Sequence, residues 1–127
     1  MTIQQAIERA NEMRNGNSAS DELKVKWLSE LDGSIYHDVI LRHKNNKVTV
    51  KPEYSSDDTS IELIAESPFD VLYVYYLMAQ IDLAASEINK YNASVSLYNT
   101  AYQNYKNHYR RNHQTVDTPP ITVGGMV

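Results

Sequence analysis

Apolar residues recur at intervals of three and four through the second half of the chain. They fall at Val74, Leu77, Ile81, Ala84, Ile88, Tyr91, Val95, Tyr98, Tyr102, Tyr105 and Tyr109. Only a helix places residues with this spacing on one side. Because the pattern keeps its phase, it favours one long helix from Pro68 to His113, either straight or bent. The alternative is a break near residues 89–92, which are weak helix formers.

The predicted long helix exceeds the diameter of a compact domain of this size. At 1.5 Å per residue it would extend about 69 Å. A compact domain of this size is only roughly 36 Å across. We therefore expect the helix to project beyond the domain and to need partners for its apolar side.

Two shorter helices are predicted before it. Thr2 and Gln5 have the spacing of a capping box, so a first helix should cover residues 3–14. Either Ser18 or Ser20 can cap a second helix, with acidic residues in its first turn. Its buried face is predicted to contain Leu23, Trp27, Leu31, Ile35 and Val39, with Leu28 and Ile40 beside them. Gly33 indicates a kink or a close helix contact.

The pattern changes between the second and third helices. Residues 47–51 alternate apolar and polar side chains, and residues 60–65 are rich in β-formers. Both are predicted as short strands that pair in a hairpin. Ser67, Pro68 and Asp70 then have the order of a helix start.

Together these elements predict a mainly α fold, a small helical bundle with one long C-terminal helix and a short two-stranded β-hairpin. Residues 1–114 form the single domain, and residues 115–127, with two prolines and two glycines, form a flexible C-terminal arm. The predicted core contains Trp27, Leu31, Ile35, Phe69, Leu72, Leu77, Ile81 and Ile88.

The aromatic content of the last helix is unusual, because ten residues of the chain are tyrosine and only one each is phenylalanine or tryptophan. A dry core prefers aliphatic residues, since a buried phenol must keep a hydrogen bond. Packing inside the chain's own bundle is one explanation, and a half-wet contact with another chain is the other. We expect an interface that contains Tyr91, Tyr98, Tyr102, Tyr105, Tyr109, Arg110 and Arg111. For the basic residues, complementation of the helix dipole is the simpler explanation.

Composition adds limits on the chemistry. The chain has 127 residues, a net charge of −4 and no cysteine, which disfavours non-specific nucleic-acid wrapping and excludes thiolate metal sites. No nucleophile motif or glycine-rich phosphate loop is present. His108 and His113 are five residues apart, which disfavours a metal pair on one helix face. We expect no enzyme activity, no cofactor and no metal, and no run of residues is long and apolar enough for a membrane helix.

Two blocks of the sequence resemble a family of small tailed-phage proteins. The first is WLSELDG at residues 27–33, followed by SIYHDVI; the second is SPFDVLYVYYLMAQIDLAASEINKYNASVSLYNTAYQNY at residues 67–105. They are similar to head–tail connector proteins, also described as neck adaptor or head-completion proteins. The resemblance covers residues 23–109, and its motifs are not catalytic.

The resemblance implies a helical protein that forms a homo-oligomeric ring on the portal protein and extends the DNA channel toward the tail. The next neck or tail-completion protein would then be a partner, with DNA only as passing cargo. It also implies synthesis in the host bacterial cytoplasm and a final location in the virion. The alternative is a nucleic-acid-binding phage protein, a small packaging subunit or a regulator with a helix-turn-helix at residues 3–43. Its basic residues do not gather on the presumed recognition helix, which disfavours it.

Overall fold

The computed structural model describes residues 1–116, and within them it is mainly helical, as the sequence predicts. The α-helices are α1 (Ile3–Met13), α2 (Asp21–Asp38), α3 (Val71–Ala84) and α4 (Ile88–Asn112), and a short 3₁₀ helix covers Ile40–Arg42. Helix α3 contacts each of the other three α-helices, and α1 packs also on α2. The core therefore surrounds α3.

The first two helices begin where their caps predict. The Thr2 hydroxyl accepts the Gln5 backbone N–H at 3.1 Å, and the Gln5 side chain accepts the Thr2 N–H at 2.9 Å. Ser20, not Ser18, caps α2 by accepting the Leu23 N–H. These local hydrogen bonds satisfy N–H groups that have no partner inside the helix.

The buried face of α2 differs from the predicted one. Leu31 and Ile35 are buried as expected, but Leu23 is 37% exposed and Trp27 only packs against the edge of the core. Leu28 is buried as expected, and Val25 takes a further inner position together with the polar residues Lys24 and Asp32. The apolar pattern of α2 predicted the wrong face because polar residues occupy part of the buried face. The apolar residues alone therefore indicate a stripe that is shifted around the helix.

Helices α3 and α4 form an antiparallel hairpin, so the prediction of one continuous long helix is wrong. Three pairs of contacts define its direction: Phe69 with His108, Tyr76 with Tyr98, and Asp82 with Ser94. Helix α3 begins at Val71, after a turn at residues 67–70. Helix α4 has 25 residues, or about 37 Å, and it lies along α3 instead of projecting away from the domain.

The break lies at residues 85–87, not at the predicted residues 89–92. Ser86 has φ +58°, its N–H donates to the Leu83 carbonyl, and the Glu87 N–H donates to the Asp82 carbonyl. These two hydrogen bonds are those of a Schellman motif, which normally has glycine at the left-handed position. Serine in that position left no signal in the sequence. The turn places Ile88, a predicted core residue, on the surface with 55% exposure.

The predicted β-hairpin is absent from residues 1–116. Only two isolated bridges occur there, Thr2 with Glu62 and His43 with Thr115. The Ile61 carbonyl accepts the Ile3 N–H, and the Leu63 N–H donates to the Met1 carbonyl. The second predicted strand therefore uses its hydrogen bonds on the segment before α1, which leaves residues 47–51 without a strand partner.

The beginning of the predicted C-terminal arm contacts the rest of the chain. The Lys44 N–H donates to the Gln114 carbonyl and the Val116 N–H donates to the Arg42 carbonyl, both at 2.8 Å. These bonds join the end of α4 to the segment after α2. The rest of the arm, residues 117–127, lies outside the described residues.

Candidate interaction surface

A strip of tyrosines lies on the α3–α4 hairpin, on the side that faces Glu30 and Asp38 of α2. The rings of Tyr98 and Tyr102 are stacked with centroids 5.7 Å apart, and Tyr76 of α3 lies 5.2 Å from Tyr98. All three rings are half-buried against the core. Burial is the main cause that raises the pKa of each of these phenols. We call Tyr76, Tyr98 and Tyr102 the aromatic strip.

Tyr105 differs from the other tyrosines predicted at an interface, because it is part of the core and only 3% exposed. Its hydroxyl is buried and has no hydrogen-bond partner among residues 1–116. Burial raises the pKa of Tyr105, and its electrostatic interactions with the neighbouring Tyr109 and with Asp32 raise it further. For this tyrosine, packing inside the chain's own bundle is the correct explanation.

The other predicted interface residues keep some exposure. Tyr91 is half-buried near the start of α4, and Arg110 and Arg111 are exposed near its end. Tyr109 is half-buried, donates its hydroxyl hydrogen to Asn46 Oδ1, and stacks on His113 with ring centroids 3.8 Å apart. These residues are accessible for a contact, and their interface role stays a prediction.

The end of α4 meets two other parts of the chain in an aromatic cluster. His43 lies 5.2 Å from the Tyr109 ring, and His108 stacks on Phe69 at 4.3 Å. A cavity of about 340 Å³ opens between α4, residues 45–48 and residues 64–69, and Tyr105 forms part of its wall. Phe69, a predicted core residue, is thus half-buried beside this cavity.

A basic groove lies on the neighbouring side of the same helix end. Arg42, Lys106 and Arg110 line it, together with Tyr102 and, among residues 1–116, a single carboxylate, that of Asp38. The Lys106 ammonium lies 5.4 Å from the centre of the Tyr102 ring, a cation–π distance. The hydrogen bonds between residues 42–44 and 114–116 bring Arg42 to this helix end, which the sequence alone does not indicate.

Beneath these surfaces, a buried carboxylate joins three parts of the chain. Asp32 is fully buried and accepts hydrogen bonds from the hydroxyls of Tyr54 and Tyr73, each at 2.6 Å, and from the Ile64 N–H at 3.0 Å. The Tyr73 hydroxyl also accepts the Ala65 N–H at 2.7 Å. Burial raises the pKa of Asp32, although these three hydrogen bonds lower it in part. No Lys or Arg among residues 1–116 forms an ion pair with this carboxylate.

A second buried carboxylate closes the corner between α3 and α4. Arg14 contacts Asp82 through two nitrogens, Nε at 2.7 Å and Nη2 at 3.0 Å, and the Ser94 hydroxyl donates to Asp82 at 2.7 Å. Burial opposes ionisation of Asp82, but the hydrogen bonds from Arg14 and Ser94 outweigh it and lower the pKa. This cluster fastens the end of α1 to both helices of the hairpin.

The sequence interpretation missed both carboxylate clusters. Each acid directly follows an apolar residue of the buried face, Leu31 in one case and Ile81 in the other. A carboxylate inside an apolar helical face is the signal that could have found them, because such a group needs donors when buried. The partners themselves come from distant parts of the chain.

The remaining predicted residues have plain positions. Leu72, Leu77 and Ile81 are buried in the core around α3.

No group of three or more His, Asp or Glu side chains in residues 1–116 could hold a metal ion. None of the helices described there is long and apolar enough to cross a membrane. In comparisons with known proteins, no family model, curated protein or solved structure matches the chain.

Proposed function

We propose that this protein is a structural component of the head–tail connector of a tailed phage. It forms a homo-oligomeric ring on the portal protein, extends the DNA channel toward the tail and contacts the next neck protein. The resemblance of residues 23–109 to that family supports this function. The aromatic strip is the observation in the fold that supports it best, because tyrosine is enriched at protein contacts that are partly wet.

The aromatic strip suits a contact better than it suits a core. Tyr98 and Tyr102 stack on each other at the surface, although Ala101 and Tyr105 already supply the buried contacts of this part of α4. Two stacked rings present a large, rigid surface and lose little conformational entropy when a partner binds. The ring contact of the connector is therefore assigned to this side of α4.

The direct test is the protein content of particles. Virions of the phage or prophage that encodes this chain are purified, and the chain is quantified by mass spectrometry against the portal protein. We expect a copy number comparable to that of the portal. Absence from virions, combined with abundance in the lysate, would contradict the connector function.

A pair of variants tests the aromatic strip itself. Tyr98→Ala with Tyr102→Ala should abolish attachment to particles while the monomer stays folded, because both rings are only half-buried. Tyr75→Ala is the matched control, since Tyr75 is a half-buried tyrosine of α3 outside the strip. Attachment that survives the double substitution would show that the strip is not the contact.

The alternative, a nucleic-acid-binding phage protein, gains no support from the first two helices. Lys24, one of the few basic residues of the presumed recognition helix, is only 2% exposed. Its ammonium donates to Asn11 Oδ1 at 2.7 Å and to the Ala19 carbonyl at 2.9 Å. A lysine held in this way is not available to bind a phosphate.

A further inference from the structure

The charges of this chain are separated along the sequence. Residues 88–116 contain four Lys or Arg and no carboxylate, whereas residues 52–70 contain no Lys or Arg. The carboxylates of residues 52–70 are Glu53, Asp57, Asp58, Glu62, Glu66 and Asp70. On a chain with a net charge of −4, this separation leaves a basic surface that the overall charge does not reveal.

The fold gathers the basic residues at one place. Arg42 and Lys44 follow α2, and they are joined to the end of α4 by backbone hydrogen bonds to Val116 and Gln114. Lys106, Arg110 and Arg111 lie on the last two turns of α4. We call these five residues the basic end. Within residues 1–116, none of them forms an ion pair with a carboxylate.

The acidic loop, defined as Glu53, Asp57 and Asp58, is fastened to the middle of α2 and to the start of α1. The Tyr54 N–H donates to Ser29 Oγ at the middle of α2, and the Thr59 carbonyl accepts the Gln4 N–H of α1. Asp58 closes the loop by accepting the Ser55 N–H at 2.8 Å. Glu53 and Asp57 are exposed on this fastened loop, so little conformational entropy is lost when they bind a partner.

From this arrangement we infer that the basic end of one copy binds the acidic loop of a second copy, head to tail. The two surfaces have opposite charge, lie on different parts of the chain and form no ion pair with each other among the described residues. A contact between two different surfaces is heterologous, and it closes into a ring when its rotation permits. The inference rests on the proposed ring and names the charged surfaces that set its direction.

DNA is a less suitable partner for the basic end. Asp38 lies within the groove, and the net negative charge of the chain repels a polyanion at long range. The test therefore includes DNA as an outcome that would overturn the inference.

Charge reversal tests the contact by sedimentation velocity. Arg110→Glu with Arg111→Glu should weaken self-association roughly tenfold, since each exposed ion pair contributes modestly. Glu53→Lys with Asp57→Lys should do the same. Combining all four substitutions restores the net charge and places opposite charges face to face again, so association should return.

The control is Glu8→Lys with Glu12→Lys, which changes the net charge equally at two exposed positions of α1, outside the acidic loop. It should leave association unchanged, and circular dichroism should show each variant folded. Wild-type association should also weaken as salt rises.

Three results would overturn the inference. They are a fourfold variant that stays dissociated, a wild-type chain that remains monomeric at every concentration reached, and DNA binding at physiological salt that the Arg110→Glu and Arg111→Glu changes abolish. None of them decides the proposed function, which the copy number in virions tests independently. If the chain is found in virions but its self-association does not respond to charge reversal, the connector function is supported and this contact is refuted.

Discussion

Asp32 and Asp82 are both buried carboxylates on helical faces, yet their surroundings are opposite. Asp82 is bound by the Arg14 guanidinium and by Ser94, and its pKa is lowered. Among residues 1–116, the donors to Asp32 are all neutral, two tyrosine hydroxyls and one backbone N–H, and its pKa is raised. At Asp82 the hydrogen bonds from Arg14 and Ser94 outweigh the cost of burial, whereas the neutral hydrogen bonds of the more deeply buried Asp32 offset only part of it.

The two carboxylates also hold different kinds of structure. Asp82 joins three helix segments, the end of α1 and the two arms of the hairpin, and thereby closes the turn at residues 85–87. Asp32 instead fixes chain without regular structure, because Tyr54 and Ile64 both belong to the segment between α2 and α3. The hydrogen bonds of Asp82 thus hold helices together. Those of Asp32 hold a segment that has no strand partner among residues 1–116.

The largest effect on stability is expected when the cation that binds Asp82 is removed. Arg14→Met leaves Asp82 buried and unpaired, and should lower the free energy of unfolding by about 3–5 kcal/mol. Chemical denaturation measures it, with Arg9→Met, an exposed α1 position, as the control. Adding Asp82→Leu should recover part of the loss, because no buried charge remains. A loss below that of the control would mean that the ion pair is dispensable.

The next largest effect is expected at Tyr73, which donates to Asp32 in the way that the Arg14 cation donates to Asp82. Tyr73→Phe removes the donor to Asp32 and the acceptor of the Ala65 N–H. It should lower the free energy of unfolding by about 3 kcal/mol, since the hydrogen bond to the buried Asp32 carboxyl and the one from the Ala65 N–H are both lost. Urea denaturation measures it, and Tyr75→Phe on the same helix is the control. Equal stabilities of the two variants would contradict the role of the Tyr73 hydroxyl.

The two sites should respond to pH in opposite directions. The folded pKa of Asp82 lies below its unfolded value, so its stabilisation is complete above about pH 4 and is lost as pH falls through the folded pKa. The folded pKa of Asp32 lies above its unfolded value. Its contribution is present below about pH 4 and is lost as pH rises through the folded pKa.

Asparagine variants separate these contributions in unfolding measured between acid and neutral pH. The stability deficit of Asp82→Asn should shrink as pH falls, and that of Asp32→Asn should shrink as pH rises. Each variant is the control for the other, because both remove one carboxyl group. Parallel pH profiles would refute the assignment of opposite pKa shifts.

The smallest expected effect concerns the Tyr105 hydroxyl, which has no hydrogen-bond partner among residues 1–116. Tyr105→Phe removes a buried polar group without changing the packing, and should raise the free energy of unfolding by about 1 kcal/mol. Tyr109→Phe should instead lower it by a similar amount, because that hydroxyl binds Asn46. Thermal unfolding of the pair measures the difference in sign. A destabilised Tyr105→Phe variant would show that its hydroxyl has a partner in solution.

By itself, the sequence determined the features that depend on neighbouring residues. The capping box at Thr2, a serine cap for α2, the helical class and much of the apolar face around α3 all follow from local hydrogen bonding and from a period of 3.6 residues. The charge separation between residues 52–70 and 88–116 is likewise legible in the residue order.

Only the tertiary structure decided the features that depend on distant partners. Residues 84–91 keep the helical phase, yet the chain turns there, because Ser86 adopts a left-handed conformation and Arg14, 68 positions before Asp82, fastens the corner. Residues 60–65 have strand propensity, yet they bond to the N-terminal segment and to Asp32 instead of forming a hairpin. Local preferences differ by a kilocalorie or less per residue, so a buried ion pair or a satisfied carboxylate overrides them.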